Sequence, residues 1–428
     1  MLKVHESKEL QHQLPSEKLR LPKKLYLPLS QHTGRPSKAC VSIGKEVEEA
    51  STIALEDGLI SARLHAPQKG KITAIENYWH PVLKRAPAIA LECAPEEKRY
   101  QIEKDLQHYS KDEILEMIKN SGIVGMGGAA FPSQVKLKPP QKVDTLIING
   151  CECEPYLACD YRLMVENLDE IFKGIEIVCR LINPKEVIFA IEDNKISIKK
   201  KLNHIRSLKK FNIPKLGIAV LKTAYPQGGE KQLIFTLTKR RVKGDELPFE
   251  VGCLVHNVAT CFAIYEAVYL DKPLIERMVT CAGDALCAPK NIWVKIGTTL
   301  KELFDEKILE FKIEPKKIIA GGPMMGIGLN HLEYPILKGS GGFLFLTKDV
   351  TELEEGPCIR CARCVDECPM QLTPLEYVKR IKKEEYAVLD KFNINDCIEC
   401  GSCAYVCPAK IPLVHYIKIG KNYMPKKK

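Results

Sequence analysis

Eight cysteines in the C-terminal quarter constrain this chain more than any other feature. Cys358, Cys361, Cys364 and Cys368 are followed by Pro369, and the same spacing returns at Cys397, Cys400, Cys403, Cys407 and Pro408. Tyr377 and Lys379 recur in register at Tyr416 and Lys418. Each copy reads C-x2-C-x2-C-x3-C-P, and three thiolates so spaced can grip one face of a cuboidal iron–sulfur cluster from a single tight loop.

The fourth cysteine opens the next helix and points away, which in two-cluster ferredoxins makes it a ligand of the other cluster. The spacing predicts two [4Fe–4S] clusters with crossed ligation. Cys358, Cys361, Cys364 and Cys407 hold one, and Cys397, Cys400, Cys403 and Cys368 hold the other. Structural zinc also uses C-x2-C pairs, but four ligands per site leave no place for the third cysteine and the trailing C-P. Residues 356–420 are therefore expected to form a two-cluster ferredoxin-like helical domain, with a basic tail at 421–428. The chain has 18 cysteines in all. The other ten are scattered and read as small buried hydrophobes, with Cys151, Cys153 and Cys159 set apart because they neighbour a candidate site.

No stretch approaches the roughly 18 apolar residues of a membrane helix, and the start MLKVHESKELQHQ has no apolar signal core. A soluble or peripheral protein is expected, with thiols used for metal rather than for disulfides. The formal net charge is +10. Part of it sits at Lys18, Arg20, Lys23 and Lys24, and part at Lys426, Lys427 and Lys428. These read as solvated tails, or as docking points for an anionic membrane face or an acidic partner. Nucleic acid is not expected as a partner, because no zinc finger, RNA-recognition signature or basic heptad region is present.

Along the chain, residues 1–24 read as an irregular arm and 25–98 as a small β domain of short strands with turn punctuation. Residues 99–274 alternate helices and strands, which predicts an α/β domain with a largely parallel sheet. Ser110 and Glu113 form a capping box there. Strands are expected at Thr145–Ile148, Val187–Ile191 and Leu216–Leu221, and helices at about Arg162–Leu181 and Lys195–Leu208. Residues 275–330 read as a small α+β domain with a second capping box at Thr299 and Glu302, and 331–355 as a Gly-containing linker.

The α/β domain carries a glycine loop, Gly122-Ile-Val-Gly125-Met-Gly127-Gly128-Ala-Ala-Phe131-Pro-Ser-Gln-Val-Lys136. It is not the dinucleotide fingerprint G-x-G-x-x-G. It lets backbone N–H groups approach an anion, Lys136 can pair with a phosphate, and Phe131 can stack on a flat ring. Two further loops follow strand ends, Asn149-Gly-Cys-Glu152-Cys-Glu154-Pro155 and Tyr225-Pro-Gln-Gly228-Gly229-Glu230. Open α/β sheets bind ligands at such ends. The bland alternatives are a plain tight turn for the glycines, solvated acids at Glu152 and Glu154, and helix-start capping by Glu230.

These loops, with Asn257-Val-Ala-Thr260, resemble the flavin site of the NADH-binding flavoprotein subunit of respiratory complex I. A fuller resemblance, over nearly the whole chain, is to the C subunit of the Rnf-type ion-translocating electron transport complex. It is carried by Leu29-Ser-Gln-His32-Thr-Gly34-Arg-Pro36, Cys151-Glu-Cys-Glu-Pro-Tyr156, Asp160-Tyr-Arg162-Leu-Met164, Gly321-Gly-Pro-Met-Met-Gly326 and both cysteine runs. The resemblance implies FMN held by Gly125, Gly127, Gly128, Lys136, Asn149, Asn257 and Thr260. It places NAD(H) against Phe131, Glu154 and Glu230, and it assigns no catalytic acid or base. It further implies a barrel-sandwich N-terminal domain, a Rossmann-like α/β domain, and a soluble-ligand-binding β-grasp domain at 275–330. The complex I flavoprotein has an acid where this chain has Cys151, and Glu where it has Gly229 and Ala259.

The expected activity is electron exchange between NAD(H), FMN and the two clusters, coupled by partner subunits to Na+ or H+ movement. The resemblance implies a peripheral subunit at the cytoplasmic face of the inner membrane, beside a ferredoxin-like iron–sulfur subunit. Two other readings stand beside it: a flavin-free relay with a vestigial nucleotide fold, and a soluble cobalamin reductase of the microcompartment type.

Overall fold

The computed structural model describes residues 2–4, 6–19, 22–95, 102–244, 246–348 and 354–424. Its centre is a four-stranded parallel sheet in the order Leu216–Leu221, Glu186–Glu192, Thr145–Gly150, Cys253–Asn257. Leu146, Ile147 and Ile148 are fully buried on the third of these strands, as expected where helices cover both faces of a parallel sheet. Helix Leu168–Ile182 buries Leu168, Ile171, Phe172, Ile175 and Val178, the spacing of one helical face, and stops at Asn183 in the left-handed conformation. It packs on helix Val258–Tyr269 through Gly174, where a Cβ would lie 1.9 Å from the Cys261 carbonyl oxygen. The single helix expected over Arg162–Leu181 is in fact two, Cys159–Glu166 and Leu168–Ile182, hinged at Asn167. The first starts early because the Glu152 carboxylate accepts the amides of Asp160 and Tyr161 at 3.0 and 3.2 Å.

The N-terminal β domain pairs Lys24–Pro28, Lys84–Cys93, Gly70–His80 and Glu46–Val47 in one antiparallel sheet and Lys38–Ala39, Thr52–Leu55 and Leu64–His65 in another. A six-stranded mixed sheet follows the α/β domain, in the order Glu17–Lys18, Lys290–Lys295, Glu276–Ala282, Gly342–Leu346, Lys317–Ala320, Ile327–Leu329. Two expectations fail here. Residues 331–355 do not form a linker, because Gly342–Leu346 is an inner strand of this sheet, parallel to Glu276–Ala282. Phe343, Leu344 and Phe345 are fully buried, and Gly342 permits the approach, since a Cβ there would lie 2.4 Å from the Thr280 carbonyl oxygen. The second capping box is one-sided. Thr299 accepts from Glu302 N at 3.3 Å, but the Glu302 carboxylate turns to the amide of Lys23 at 2.8 Å.

The N-terminal arm is not irregular. It contains helix Glu9–Gln13 and donates Glu17–Lys18 as an edge strand. Leu2 pairs with Tyr225 through both backbone hydrogen bonds, at 2.9 and 2.8 Å, and the Tyr156 amide donates to the Glu6 carbonyl at 2.7 Å. Lys8 is buried and its ammonium donates to the Glu152 carbonyl. Nor are Lys18 and Lys23 free tails: they face Glu276 and Glu306 at 3.8 and 3.1 Å. Arg20, Lys426, Lys427, Lys428 and part of the expected linker lie outside the described residues.

The C-terminal unit repeats a short helix and a longer one, Arg363–Asp366 with Pro374–Ile381, then Ser402–Tyr405 with Leu413–Tyr423. Its own small core includes Tyr377, Leu389, Ile394 and Ile417.

Candidate functional site

The glycine loop leaves helix Lys111–Asn120, whose start carries the expected capping box: Ser110 Oγ accepts from Glu113 N at 3.2 Å and Glu113 Oε2 accepts from Ser110 N at 2.7 Å. Gly125 N donates to the Phe131 carbonyl at 2.8 Å and closes the loop. Three other segments brace it. Thr33 Oγ1 donates to the Ala129 carbonyl at 2.6 Å, Met126 N donates to Thr260 Oγ1 at 2.9 Å, and Lys338 Nζ donates to the Gly122 carbonyl at 2.7 Å. Gly128 has φ +125°, and a Cβ there would meet nothing within 4 Å. The loop therefore presents an open backbone cradle that only glycine can shape.

The expected flavin residues gather around this cradle. Gly127 lies against Asn257, where a Cβ would stand 3.2 Å from that side chain. Asn257 caps helix Val258–Tyr269, accepting from Ala259 N at 2.8 Å and Thr260 N at 3.4 Å, and donates to Asp160 Oδ2. Asn149 ties two strand-end loops together: Nδ2 donates to the Gly228 carbonyl at 2.9 Å and Oδ1 accepts from Cys151 N at 3.0 Å. Lys136 and Glu230 form an ion pair of 2.6 Å, both partly exposed. The arrangement fits a planar anionic cofactor: the Gly127 and Gly128 amides, the Lys136 cation, and a frame of two hydrogen-bonded asparagines.

Glu154 is placed differently from the dinucleotide contact the resemblance implies. Its carboxylate accepts the amides of Met324 and Met325 at 3.2 and 2.9 Å and so holds the Gly321–Gly326 turn. Burial pushes its pKa up against those bonds. Glu152, expected as a loop acid, is a buried helix cap. Burial pushes the Cys151 and Cys153 thiols up, Cys153 to about 12, so both stay protonated.

Sequence reasoning assigned no role to three polar residues, of which His256 and Lys338 are buried and Asp160 is partly buried. Burial, with the charge of Lys136, drives His256 down to about 3, a neutral imidazole. Asp160 is pushed up to about 7 by burial and by Glu152. Lys338, with two carbonyl partners, is pulled down to about 7 by burial alone. Asp160 opens the Asp160–Met164 motif, a signal that could have singled it out. Lys338 carried no local signal.

In the C-terminal unit, Cys368, Cys397, Cys400 and Cys403 line one recess. Burial raises the Cys364 thiol, and the neighbouring Cys407 and Cys358 add to that. Cys368 of the first run thus lies with the first three cysteines of the second, and Cys407 of the second lies near Cys364 and Cys358 of the first. Backbone amides already point at sulfur: Leu372 N at 3.3 Å from Cys368 Sγ and Glu399 N at 3.4 Å from Cys397 Sγ. Four thiols around one recess, with N–H donors aimed at them, fit a tetrathiolate cluster. The two sites differ in surroundings. Cys358 and Cys361 are exposed, whereas Cys400 is buried beside the nucleotide domain and Cys403 within the unit's own core. Tyr225 OH donates to the Cys400 carbonyl at 2.6 Å, and Gln232 Nε2 donates to the Pro369 carbonyl at 3.0 Å.

Comparison with known proteins matches three family models in order along the chain. They are the RnfC barrel sandwich hybrid domain at residues 2–96, the Nuo51 FMN-binding domain at 118–266 and a 4Fe-4S dicluster domain at 357–411. A relative in Clostridium ljungdahlii, the C subunit of a proton-translocating ferredoxin:NAD(+) oxidoreductase complex, is 43% identical over 399 residues, 90% of this chain and 86% of that protein. The chain belongs to this C-subunit family. The C subunit of a Na(+)-translocating ferredoxin:NAD(+) oxidoreductase complex from Acetobacterium woodii is 35% identical, covering 88% of this chain and 85% of that one. The C subunit of an ion-translocating oxidoreductase complex from Pseudomonas aeruginosa is 40% identical, but the chain spans only 51% of that longer protein. Among solved structures, an NAD+-reducing [NiFe]-hydrogenase in its H2-reduced state aligns with a TM-score of 0.51 at 18% identity, over 69% of this chain and 60% of that one. That likeness concerns the fold. Membership of the C-subunit family accounts for the shared order of β, α/β and cluster-binding units. Among the described residues, no helix is long and apolar enough to cross a membrane.

Proposed function

We propose that this chain is a peripheral electron-transfer subunit of an ion-translocating oxidoreductase, exchanging electrons between NAD(H), FMN and two [4Fe–4S] clusters. The observation that carries the reading is the junction of the nucleotide domain with the second cysteine loop. The Tyr225–Glu230 loop reaches Lys136 at one end and the Cys400 carbonyl at the other. Bound FMN would exchange a hydride with NAD(H) and single electrons with the clusters, a two-to-one conversion that protein side chains do not perform.

The chain's own residues supply placement. The amides of Gly127 and Gly128 face the flavin while Gly125 closes the loop through Phe131, Lys136 faces its phosphate, and Asn149, Asn257 and Thr260 fix the frame. Phe131 and Glu230 line the dinucleotide side. Glu154 serves that side indirectly, through the Gly321–Gly326 turn. No side-chain acid or base is required for hydride transfer. The parallel sheet supports a Rossmann-like reading of the central domain. In the six-stranded sheet, Glu276–Ala282 and Gly342–Leu346 lie parallel at the centre, each with an antiparallel neighbour outside it, which supports a β-grasp reading that extends past the expected 275–330 to residue 346.

Other subunits of the complex, including a ferredoxin-like iron–sulfur subunit, are the proposed partners, at the cytoplasmic face of the membrane. The RnfC-type match at residues 2–96 favours this over a soluble cobalamin reductase. The test is anaerobic purification, a visible spectrum, and NADH. FMN in the acid extract with NADH-dependent bleaching supports the reading. Clusters bleached by dithionite but not by NADH, without flavin, would leave a relay subunit instead.

A further inference from the structure

The two cysteine runs are copies in sequence, so any functional difference between their clusters must come from what surrounds them. In the first run Cys358 and Cys361 are exposed, and Ile359 between them is 66% exposed. In the second, Cys400, the counterpart of Cys361, is buried under a residue of another domain. That residue is Tyr225, 1% exposed, whose hydroxyl donates to the Cys400 carbonyl at 2.6 Å. Gly401 closes the same contact, with φ +84° and room for a Cβ only 2.6 Å from the Met324 carbonyl oxygen.

Tyr225 is itself fixed. Its N–H and C=O both pair with Leu2. Three residues later the Gly228 carbonyl accepts from Asn149, and Glu230 pairs with Lys136. One short loop therefore bears on the flavin cradle and on one cluster ligand. The phenol's O–H dipole turns its positive end toward the carbonyl of a ligating residue. Such a dipole stabilises the additional negative charge that a cluster carries after taking up one electron.

We propose that Tyr225 is a positioning residue that seats Cys400 against the nucleotide domain and raises the reduction potential of the Cys368/Cys397/Cys400/Cys403 cluster, leaving the other cluster untouched. The inference rests on the cluster reading above, and the test separates the two. Full-length wild-type protein and Tyr225→Phe are purified anaerobically, their iron and sulfide are counted, and both are titrated potentiometrically with EPR detection. Signals are assigned with Cys364→Ala, which lacks the exposed cluster.

The expected result is unchanged iron with a threefold to tenfold weaker reduction equilibrium at the buried cluster alone. Tenfold corresponds to a fall of about 59 mV for a one-electron couple. Gln232→Leu removes a second donor to the same cluster's loop and is expected to move the same signal. This serves as the deciding variant if Tyr225→Phe loses iron. Unmoved potentials, or equal shifts in both clusters, would overturn the proposal. Absence of cluster signals in the wild type would instead overturn the parent reading.

Discussion

Replacing Cys368 by Ala tests the crossed ligation directly. Cys368 shares its recess with Cys397, Cys400 and Cys403, although it stands in the first run. A chain with two [4Fe–4S] clusters holds about eight iron atoms, and removing one of four ligands should leave about four. Straight ligation predicts the same total, so iron content alone does not discriminate. The identity of the survivor does. With crossed ligation, Cys368→Ala keeps the cluster of exposed Cys358 and Cys361, and its EPR spectrum matches that of Cys403→Ala. Cys407→Ala keeps the buried cluster and matches Cys364→Ala. Access gives a second measure. An iron chelator should strip the survivor in Cys368→Ala at least several-fold faster than the survivor in Cys407→Ala, because two of its thiolate ligands face solvent. If Cys368→Ala and Cys364→Ala gave the same spectrum and the same stripping rate, the reasoning from the recess would be wrong.

Three further outcomes are expected. Lys136→Ala removes the cation beside the cradle. A charged hydrogen bond of about 1.5–3 kcal/mol implies roughly ten- to hundred-fold weaker FMN binding, read by fluorescence of released flavin, with iron unchanged. Gly174→Ala forces a Cβ to within 1.9 Å of the Cys261 carbonyl oxygen and should destabilise the α/β domain by about 2–3 kcal/mol, visible in denaturant unfolding. Lys338 has its pKa pulled down to about 7 by burial, so between there and its ordinary value near 10.4 the unfolded chain binds more protons than the folded one. Stability should rise with pH across that window, by at most about 1.4 kcal/mol per unit, and the burial penalty is complete below it. Lys338→Met should flatten that slope, and an unchanged slope would refute the assignment.

Much of this architecture is legible in the residues, for identifiable reasons. The cluster ligands are readable because covalent geometry ties spacing to chemistry, with little help from tertiary context. The parallel strands of the α/β domain are readable because both faces are covered, so Leu146, Ile147 and Ile148 form an unbroken apolar run. The strand Gly342–Leu346 was obscured by its glycines, which signal a loop locally but here let one backbone approach another. Asn167 hid a helix break inside a long amphipathic pattern. Glu154 and Glu152 show the limit at the site itself: an acid near a strand end suggests a ligand contact, yet Glu154 is occupied by amides of the distant Gly321–Gly326 turn and Glu152 by the start of the next helix. The arm escaped notice because its partners are non-local, at Tyr225, Tyr156 and Glu152.

That arm also bears on how the protein is made. Glu6 accepts from Asn194, 188 residues away, and Lys8 reaches Glu152, 144 residues away. The arm leaves the ribosome before any of these partners, so it can find its seat only after the central sheet has been synthesised. Until then the strand-end loops around Tyr225 lack their latch. Both the arm and the second cysteine loop converge on Tyr225, so the middle of the chain is the part on which its two ends are assembled.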